Sequence, residues 1–278
     1  MFYSCLQAMS TDQAIRHAVD DAGVAEVVVA RPPVNALRIA DWQGLADLVR
    51  RLGEDPKVRV VVLAAEGRGY NAGVDIKEIH AAGDGHAALI AVNRACANAF
   101  AAVYECEVPV VAAVHGYCLG GGIGLVGNAD VVLASDDASF GLPEVDRGAV
   151  GAATHLARLV PQHLMRAMVY TGRRVPASEL HRFGSILEVV PRDQLRAAAR
   201  AVAAEIAAKP PIAIRAAKQS LNGIDPVDVR RSYRYEQGFT FELTLAGVGD
   251  QQRAAFVDKR SPSTPALAAL EPTLRTNG

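Results

Sequence analysis

Two glycine loops and one acidic loop carry the residue types able to do chemistry. Gly120, Gly121 and Gly122 follow the β-branched apolar run Val108–Val114, inside the stretch VPVVAAVHGYCLGGGIGLVGNAD (108–130). Residues without a Cβ let a ligand approach the main chain closely. If a helix begins there, its first N–H groups lack intrahelical acceptors and face whatever lies above them. A developing negative charge suits that position. The stretch Gly67–Ile79, GRGYNAGVDIKEI, has the same character after the apolar run Val58–Ala65. Each loop alone reads as an ordinary strand-to-helix turn. As a pair, they can supply two backbone donors to one oxyanion.

The acidic loop is Phe140-Gly141-Leu142-Pro143-Glu144-Val145-Asp146-Arg147-Gly148. A carboxylate held in an apolar pocket has its pKa raised and works as a general base or acid near neutral pH. Glu144 and Asp146 are both candidates. The plainer alternatives are that Glu144 caps the following helix and that Asp146 pairs with Arg147 or another cation.

Gly122-Ile-Gly124-Leu-Val-Gly127 also fits GxGxxG, the dinucleotide fingerprint. That reading needs an acidic strand end about 20 residues on, where this chain has the Pro- and Gly-containing acidic loop instead. There is no P-loop and no GxSxG elbow. His115, ending a buried strand, reads as a core histidine rather than a catalytic one. Tyr70 and Tyr117 either line a ligand site or pack, and Tyr233, Tyr235 and Phe239 have helical spacing that points to core or interface.

Composition bounds the class. The 278 residues are 50% hydrophobic and 21% charged, with a formal net charge of −1. This is a globular chain with no large basic surface for nucleic acid and no apolar run of about 20 residues for a membrane. Cys5, Cys96, Cys106 and Cys118 form no CxxC pair and show no ligand spacing with histidine, so no metal site is expected. They read as reduced thiols of a cytoplasmic protein.

The first half alternates strand and helix, as in a sheet of parallel crossovers. Strands are expected at Val24–Ala30, Val58–Ala65, Val108–Val114 and Asp130–Ala134, with Ala138–Gly141 continuing the sheet edge. Asp41 reads as the N-cap of a helix burying Trp42, Leu45, Val49 and Leu52, and 86–105 as a long alanine-rich helix. The second half is helical, over Thr154–Val160, Pro161–Thr171, Ala177–Phe183, Arg192–Ala208, Ile212–Leu221, Val227–Ala246 and Gln251–Lys259, with a short strand at Leu187–Val190. The organisation expected is an N-terminal extension (1–20), a core (21–200), a helical region (201–260) and a Pro-, Ser- and Thr-rich tail (261–278).

Together these stretches resemble the crotonase (enoyl-CoA hydratase/isomerase) superfamily. The residues that carry the resemblance are Arg31-Pro32-Pro33-Val34-Asn35-Ala36-Leu37, Tyr70-Asn71-Ala72-Gly73-Val74-Asp75-Ile76-Lys77-Glu78, His115 to Gly122, Phe140 to Glu144, and Ala255 to Arg260. The resemblance implies an α/β fold, a ββα spiral core with a helical C-terminal region that builds trimers or hexamers. It implies an acyl-CoA substrate and no separate cofactor. By position, the N–H groups of Val74 and Gly121 would hold the thioester oxygen. Ala72, Asp75, Ile76 and Lys77 would line the CoA path. Arg31 and, from a neighbouring subunit, Lys259 would meet its phosphates.

One departure matters. Hydratases of this superfamily carry two catalytic glutamates, and here Gly124 stands where the first would be, leaving Glu144. Simple enoyl-CoA hydration is then disfavoured, and the vacated position is expected to leave room for a bulky acyl group. The runs YNAGVDIKE, GGGIGLVGNAD, ASFGLPEVDRGAVGAATHLARLVPQHLMR and YEQGFTFEL resemble an actinobacterial branch of hydrolases. These open the last ring in steroid breakdown by adding water across a carbon–carbon bond of an indanedione-carboxyl-CoA. Glu144 or Asp146 would activate that water. A hydratase or isomerase on another acyl-CoA, or a non-catalytic CoA-ester binding subunit, are the alternatives.

Overall fold

The computed structural model of the protein describes residues 14–82 and 85–260. In chain order the elements are β1 (Ile15–Val19), β2 (Val24–Val29), α1 (Ile39–Glu54), β3 (Val60–Ala65), α2 (Ile76–Ala81), α3 (Gly85–Tyr104), β4 (Val110–Val114), β5 (Tyr117–Leu119), α4 (Gly121–Val126), β6 (Val131–Ser135) and β7 (Ser139–Gly141). After a 3₁₀ turn (Pro143–Arg147) come α5 (Ala153–Leu156), α6 (Gln162–Thr171), β8 (Arg174–Pro176), α7 (Ala177–Arg182), β9 (Glu188–Val190) and, past a second 3₁₀ turn, α8 (Leu195–Ala207). The described chain closes with α9 (Pro211–Gly223), α10 (Val229–Leu245) and α11 (Val248–Val257).

The main sheet runs β1-β2-β3-β4-β6-β9. β1 pairs antiparallel with β2, and every later pairing is parallel. Both faces are covered, which is why β3 and β4 read as unbroken apolar runs rather than alternating ones. Val61, Leu63, Val110, Ala112 and Val114 face the core shared with α1 and α3. Val60, Val62, Ala64, Val111 and Ala113 face Leu195, Ala199 and Ala203 of α8. α3 is long and apolar enough to cross a bilayer by composition, yet its Leu89, Val92, Phe100 and Val103 are buried inside the protein.

Several expectations are corrected. Ile15–Val19, placed in an N-terminal extension, forms an edge strand with full register from Ile15↔Val29 to Val19↔Ala25. α8 crosses the expected 200/201 boundary, and its apolar stripe keeps it on the sheet. β7 does not extend the main sheet. It pairs with β5 and β8 in a separate three-stranded sheet, because β6 is flanked by β4 and β9 and the Ser135–Ala138 turn carries the chain away from its end. Asp41 lies in the first turn of α1 and not at its N-cap. From there it accepts the Arg38 backbone N–H at 3.0 Å, which still satisfies one orphan donor. The 261–278 tail and Cys5 lie outside the described residues. Cys96, Cys106 and Cys118 are buried and free.

Helix α9 is clamped to the sheet by polar contacts. Lys218 is buried and donates to both carboxylate oxygens of Asp130, at 2.8 and 2.6 Å, while Asp130 also accepts the Val110 N–H. Tyr104 and Asn222 exchange hydrogen bonds beside it.

Candidate active site

Two buried asparagines shape the first glycine loop. Asn35 holds a left-handed conformation (φ 55°) and donates from Nδ2 to the carbonyls of Glu66 and Gly69. Asn71 donates from Nδ2 to the Asn35 carbonyl, and its Oδ1 accepts the Gly73 N–H at 2.7 Å. The Leu119 N–H donates to the Asn71 carbonyl, which ties this loop to the second one. Neither asparagine carries a chemical signal of its own in the sequence. The only signal was their place in the resembling runs.

This frame leaves the next N–H without an acceptor. Leu37 donates to the Gly73 carbonyl and accepts from Asp75, so the bridge between Leu37 and Val74 bypasses the Val74 N–H. Gly121 opens α4, where a first-turn N–H has no intrahelical partner. Among the described residues, neither the Val74 N–H nor the Gly121 N–H donates to a protein acceptor. The two loops touch main chain to main chain. A Cβ placed on Gly73 would stand 3.2 Å from the Gly121 nitrogen, and Gly73 itself has φ +86°.

Glu144 completes the constellation. It sits in the 3₁₀ turn Pro143–Arg147, after β7. Its Oε1 lies 2.5 Å from where a Cβ on Gly120 would be, so the carboxyl group rests on the bare main chain beside the Gly121 N–H. Its Oε2 is buried and has no hydrogen-bond partner among the described residues. Burial pushes the Glu144 pKa up to about 8. Its own backbone N–H and the Arg147 charge oppose the rise, while the carboxylates of Glu236 and Asp146 add to it. Burial raises the pKa of the Cys96 thiol on α3, and the Glu144 charge raises it further. Glu144 caps no helix. The helix after it, α5, is capped by Glu236, whose carboxylate accepts from the Ala153 and Thr154 N–H groups.

The remaining glycines of α4 answer packing rather than phosphate. A Cβ on Gly121 would stand 2.8 Å from Cζ2 of Trp42, and one on Gly124 would collide with the Phe100 ring. One on Gly122 would press on Asn71 and Cys118, and one on Gly127 would collide with the His155 carbonyl. The GxGxxG spacing is therefore a helix stripped of side chains so that aromatics and loops can pack against it. The expected space at Gly124 for a bulky acyl group is absent, because Phe100 fills it. Phe100 is held by ring contacts to Trp42, His155 and Tyr233, with centroids 5.6, 5.0 and 5.3 Å away.

The other expected residues divide. Asp146 is exposed, pairs with neither Arg147 nor another cation among the described residues, and lays its carboxylate against Gly172 at the end of α6. Arg147 instead stacks over Phe256 at 4.1 Å. Asp75 caps α2 by accepting the Lys77 and Glu78 N–H groups, Ile76 opens that helix, and Ala72 precedes it on the loop. Lys77 is exposed on the same turn. Arg31 is committed to Asp41 at 2.7 Å, in a pair whose side chains are 17% and 11% exposed. Lys259 follows α11, which packs on α2 and the 143–147 turn of its own chain, and is exposed. His115 is buried, with Nε2 3.1 Å from the Gly67 carbonyl, and burial lowers its pKa, as a core histidine requires. Tyr70 is buried, and the Tyr117 ring packs over Gly69. Among the described residues no cluster of His, Cys, Asp and Glu could hold a metal.

The enoyl-CoA hydratase/isomerase family model matches residues 20–263. The chain belongs to this family. Solved structures of the family share the fold. An enoyl-CoA hydratase from Mycobacterium avium subsp. paratuberculosis K-10 aligns with TM-score 0.80 at 25% identity, covering 91% of this chain and 99% of that one. An enoyl-CoA hydratase/isomerase from Pseudoalteromonas atlantica T6c aligns with TM-score 0.79 at 26% identity, covering 91% and 100%. Much greater sequence similarity is found elsewhere in the family. The chain is 61% identical, over 89% of its length and 96% of the relative's, to the (7aS)-7a-methyl-1,5-dioxo-2,3,5,6,7,7a-hexahydro-1H-indene-carboxyl-CoA hydrolase of Rhodococcus jostii (strain RHA1). It is 59% identical, over 88% and 99%, to the hydrolase of the same name from Mycobacterium tuberculosis (strain ATCC 25618 / H37Rv). A carnitinyl-CoA dehydratase of Salmonella typhi is only 31% identical. The chain is thus a crotonase-type α/β protein of the family's hydrolase branch.

Proposed function

We propose that the protein is an acyl-CoA carbon–carbon hydrolase that opens the five-membered ring of a methyl-hexahydroindanedione carboxyl-CoA in steroid breakdown. The identity of about 60% to two relatives named for that reaction supports the substrate. The observation that carries the chemistry is the Glu144 carboxyl group, buried with a free oxygen against Gly120, beside two N–H groups that have no protein acceptor.

The substrate's name puts a ring ketone next to the methyl-bearing quaternary carbon. Glu144 takes a proton from water, and the hydroxide oxygen bonds to the ketone carbon. The bond from that carbon to the quaternary carbon then breaks, and the ketone carbon becomes a carboxylic acid. The electron pair passes into the conjugated system and onto the thioester oxygen, where the Val74 and Gly121 N–H groups stabilise it. The proton on Glu144 returns to carbon, and the new acid ionises. One water is consumed and the thioester survives. A carboxyl group whose pKa is raised to about 8 is matched to this two-way proton transfer.

In the same reading, Ala72, Asp75, Ile76, Lys77 and Lys259 line the CoA path, while Arg31 serves by holding α1 through Asp41. The protein works in the cytoplasm as a homotrimer or homohexamer. Tyr235, Phe239 and Leu245 leave an apolar stripe exposed on α10, which supports burial in an assembly. Light scattering on the purified chain tests that point.

Turnover in ¹⁸O-water tests the reaction itself. The reading expects solvent label in the new carboxylate and no free CoA thiol. Release of free CoA with the ring intact would make the protein a thioesterase instead.

A further inference from the structure

We infer that Trp42 and Phe100 are positioning residues that set the Gly121 N–H against the thioester oxygen. This rests on the donor-pair reading above. Gly121 and Gly124 are three residues apart, so they share one face of α4. Both present bare Cα atoms there. Trp42 of α1 lies against the first and Phe100 of α3 against the second, too close to admit a Cβ on either. The two rings meet edge to face, with centroids 5.6 Å apart and planes at 86°. Each is essentially solvent-free, at 0% and 1% exposure.

The wedge is braced from behind. His155 and Tyr233 contact the Phe100 ring and each other, with the two rings 4.7 Å apart. Asn128, just past the end of α4, donates to the Gly124 carbonyl at 2.7 Å and approaches His155 Nδ1 at 3.0 Å. The short helix is therefore gripped at both ends of its glycine face by one aromatic stack. α4 has only six residues and one turn of internal hydrogen bonds, so it has little rigidity of its own. Its register against the Gly73–Val74 loop comes from what it packs on. Hydrogen-bond strength falls steeply with distance and angle. A shift of a few tenths of an ångström in α4 is thus read directly by a bound carbonyl.

The test uses the full chain and a carbonyl-¹³C-labelled cyclohexene-1-carboxyl-CoA. This conjugated thioester lacks the ring ketone and cannot be cleaved. Isotope-edited infrared spectroscopy reports how far binding lowers its C=O stretch. The unsubstituted protein is expected to lower it. Phe100→Leu and Trp42→Phe are expected to reduce that shift to about half or less, with dissociation constants changed by no more than about threefold. Gly124→Ala drives a methyl group into Phe100 and is expected to reduce the shift as well. Combining it with Phe100→Leu, which makes room, restores part of the shift. A purely structural contact would not produce that rescue.

If the single variants keep the full shift while losing thermal stability, the pair only packs the core and the inference fails. If the unsubstituted protein itself leaves the stretch unmoved, the donor pair falls and takes the inference with it. Should Trp42→Phe not fold, the Phe100→Leu and Gly124→Ala cycle decides alone.

Discussion

The Glu144 carboxyl group rests on the bare α-carbon of Gly120, with Oε1 2.5 Å from the position a Cβ would occupy. This contact sets the carboxyl group against the residue that precedes the Gly121 N–H, so the proposed base and the proposed oxyanion donor sit on adjoining main chain. It also assigns Gly120 a second reason to be glycine. At φ 54° and ψ −116° its backbone conformation costs another residue on the order of 1–3 kcal/mol.

Glu144→Gln keeps the shape and removes the proposed base. CoA-ester affinity is expected to stay within a few-fold and kcat to fall by ~10²–10⁴. Calorimetric binding set beside steady-state kinetics separates the two. Gly120→Ala is expected to lose turnover and stability together, since the added methyl group meets Oε1.

Asp146→Asn is expected to leave kcat within about threefold, the scale of an exposed substitution. Its carboxylate faces Gly172, and its contribution to Glu144 is one charge among several. A loss comparable to that of Glu144→Gln would move the base to Asp146.

Two buried groups shape the pH profile in opposite directions. Glu144 is held neutral up to about pH 8 in the folded state, against a reference of 4.5. Between those values the folded protein binds a proton that the unfolded chain has lost, so stability falls as pH rises. His155, buried, has its pKa pushed down to about 3, from 6.5. Between those values the unfolded chain binds a proton that the folded state refuses, so stability falls as pH drops. The two windows overlap from pH 4.5 to 6.5, where the slopes oppose, so stability is expected to be flat there and to fall below and above, while the proposed base role has kcat rise toward pH 8 as Glu144 ionises. Urea titrations from pH 4 to pH 9 check the profile, with the alkaline limb flattened in Glu144→Gln.

Trp42 is the chain's single tryptophan and lies against Gly121. Its fluorescence is expected to change saturably when a CoA ester enters and to stay flat with free adenine nucleotide alone. An unresponsive signal at saturating ester would place the acyl group away from α4.

Lys218→Met strips Asp130 of its buried partner and is expected to cost about 3 kcal/mol. In the double variant with Asp130→Asn the cost is expected to be well below the sum of the single ones. Chemical denaturation with kcat as a control checks this, because α9 lies outside the site.

Much of the fold is legible in the sequence. The two-sided burial of β3 and β4 shows in their unbroken valine runs, and α3 in its alanines. The two glycine loops and the acidic loop of Glu144 stand out by residue type. What stayed hidden depends on contacts distant in sequence. Nothing local to Gly124 announces Phe100, 24 residues earlier on another helix. β7 looked like a main-sheet strand because three residues carry no record of their partners. The exposure of Asp146 follows from the 3₁₀ turn, which sends side chains two apart in different directions. Nothing local to Arg31 announces its pairing with Asp41 of α1, ten residues on.

The most direct test of the account is the product formed from the bicyclic keto-acyl-CoA, followed by carbon NMR. The account predicts loss of the ring-ketone signal, a new carboxylate carbon and an intact thioester. A preserved ring ketone with a new alcohol carbon would contradict it, and would make this protein a hydratase that works with Glu144 alone.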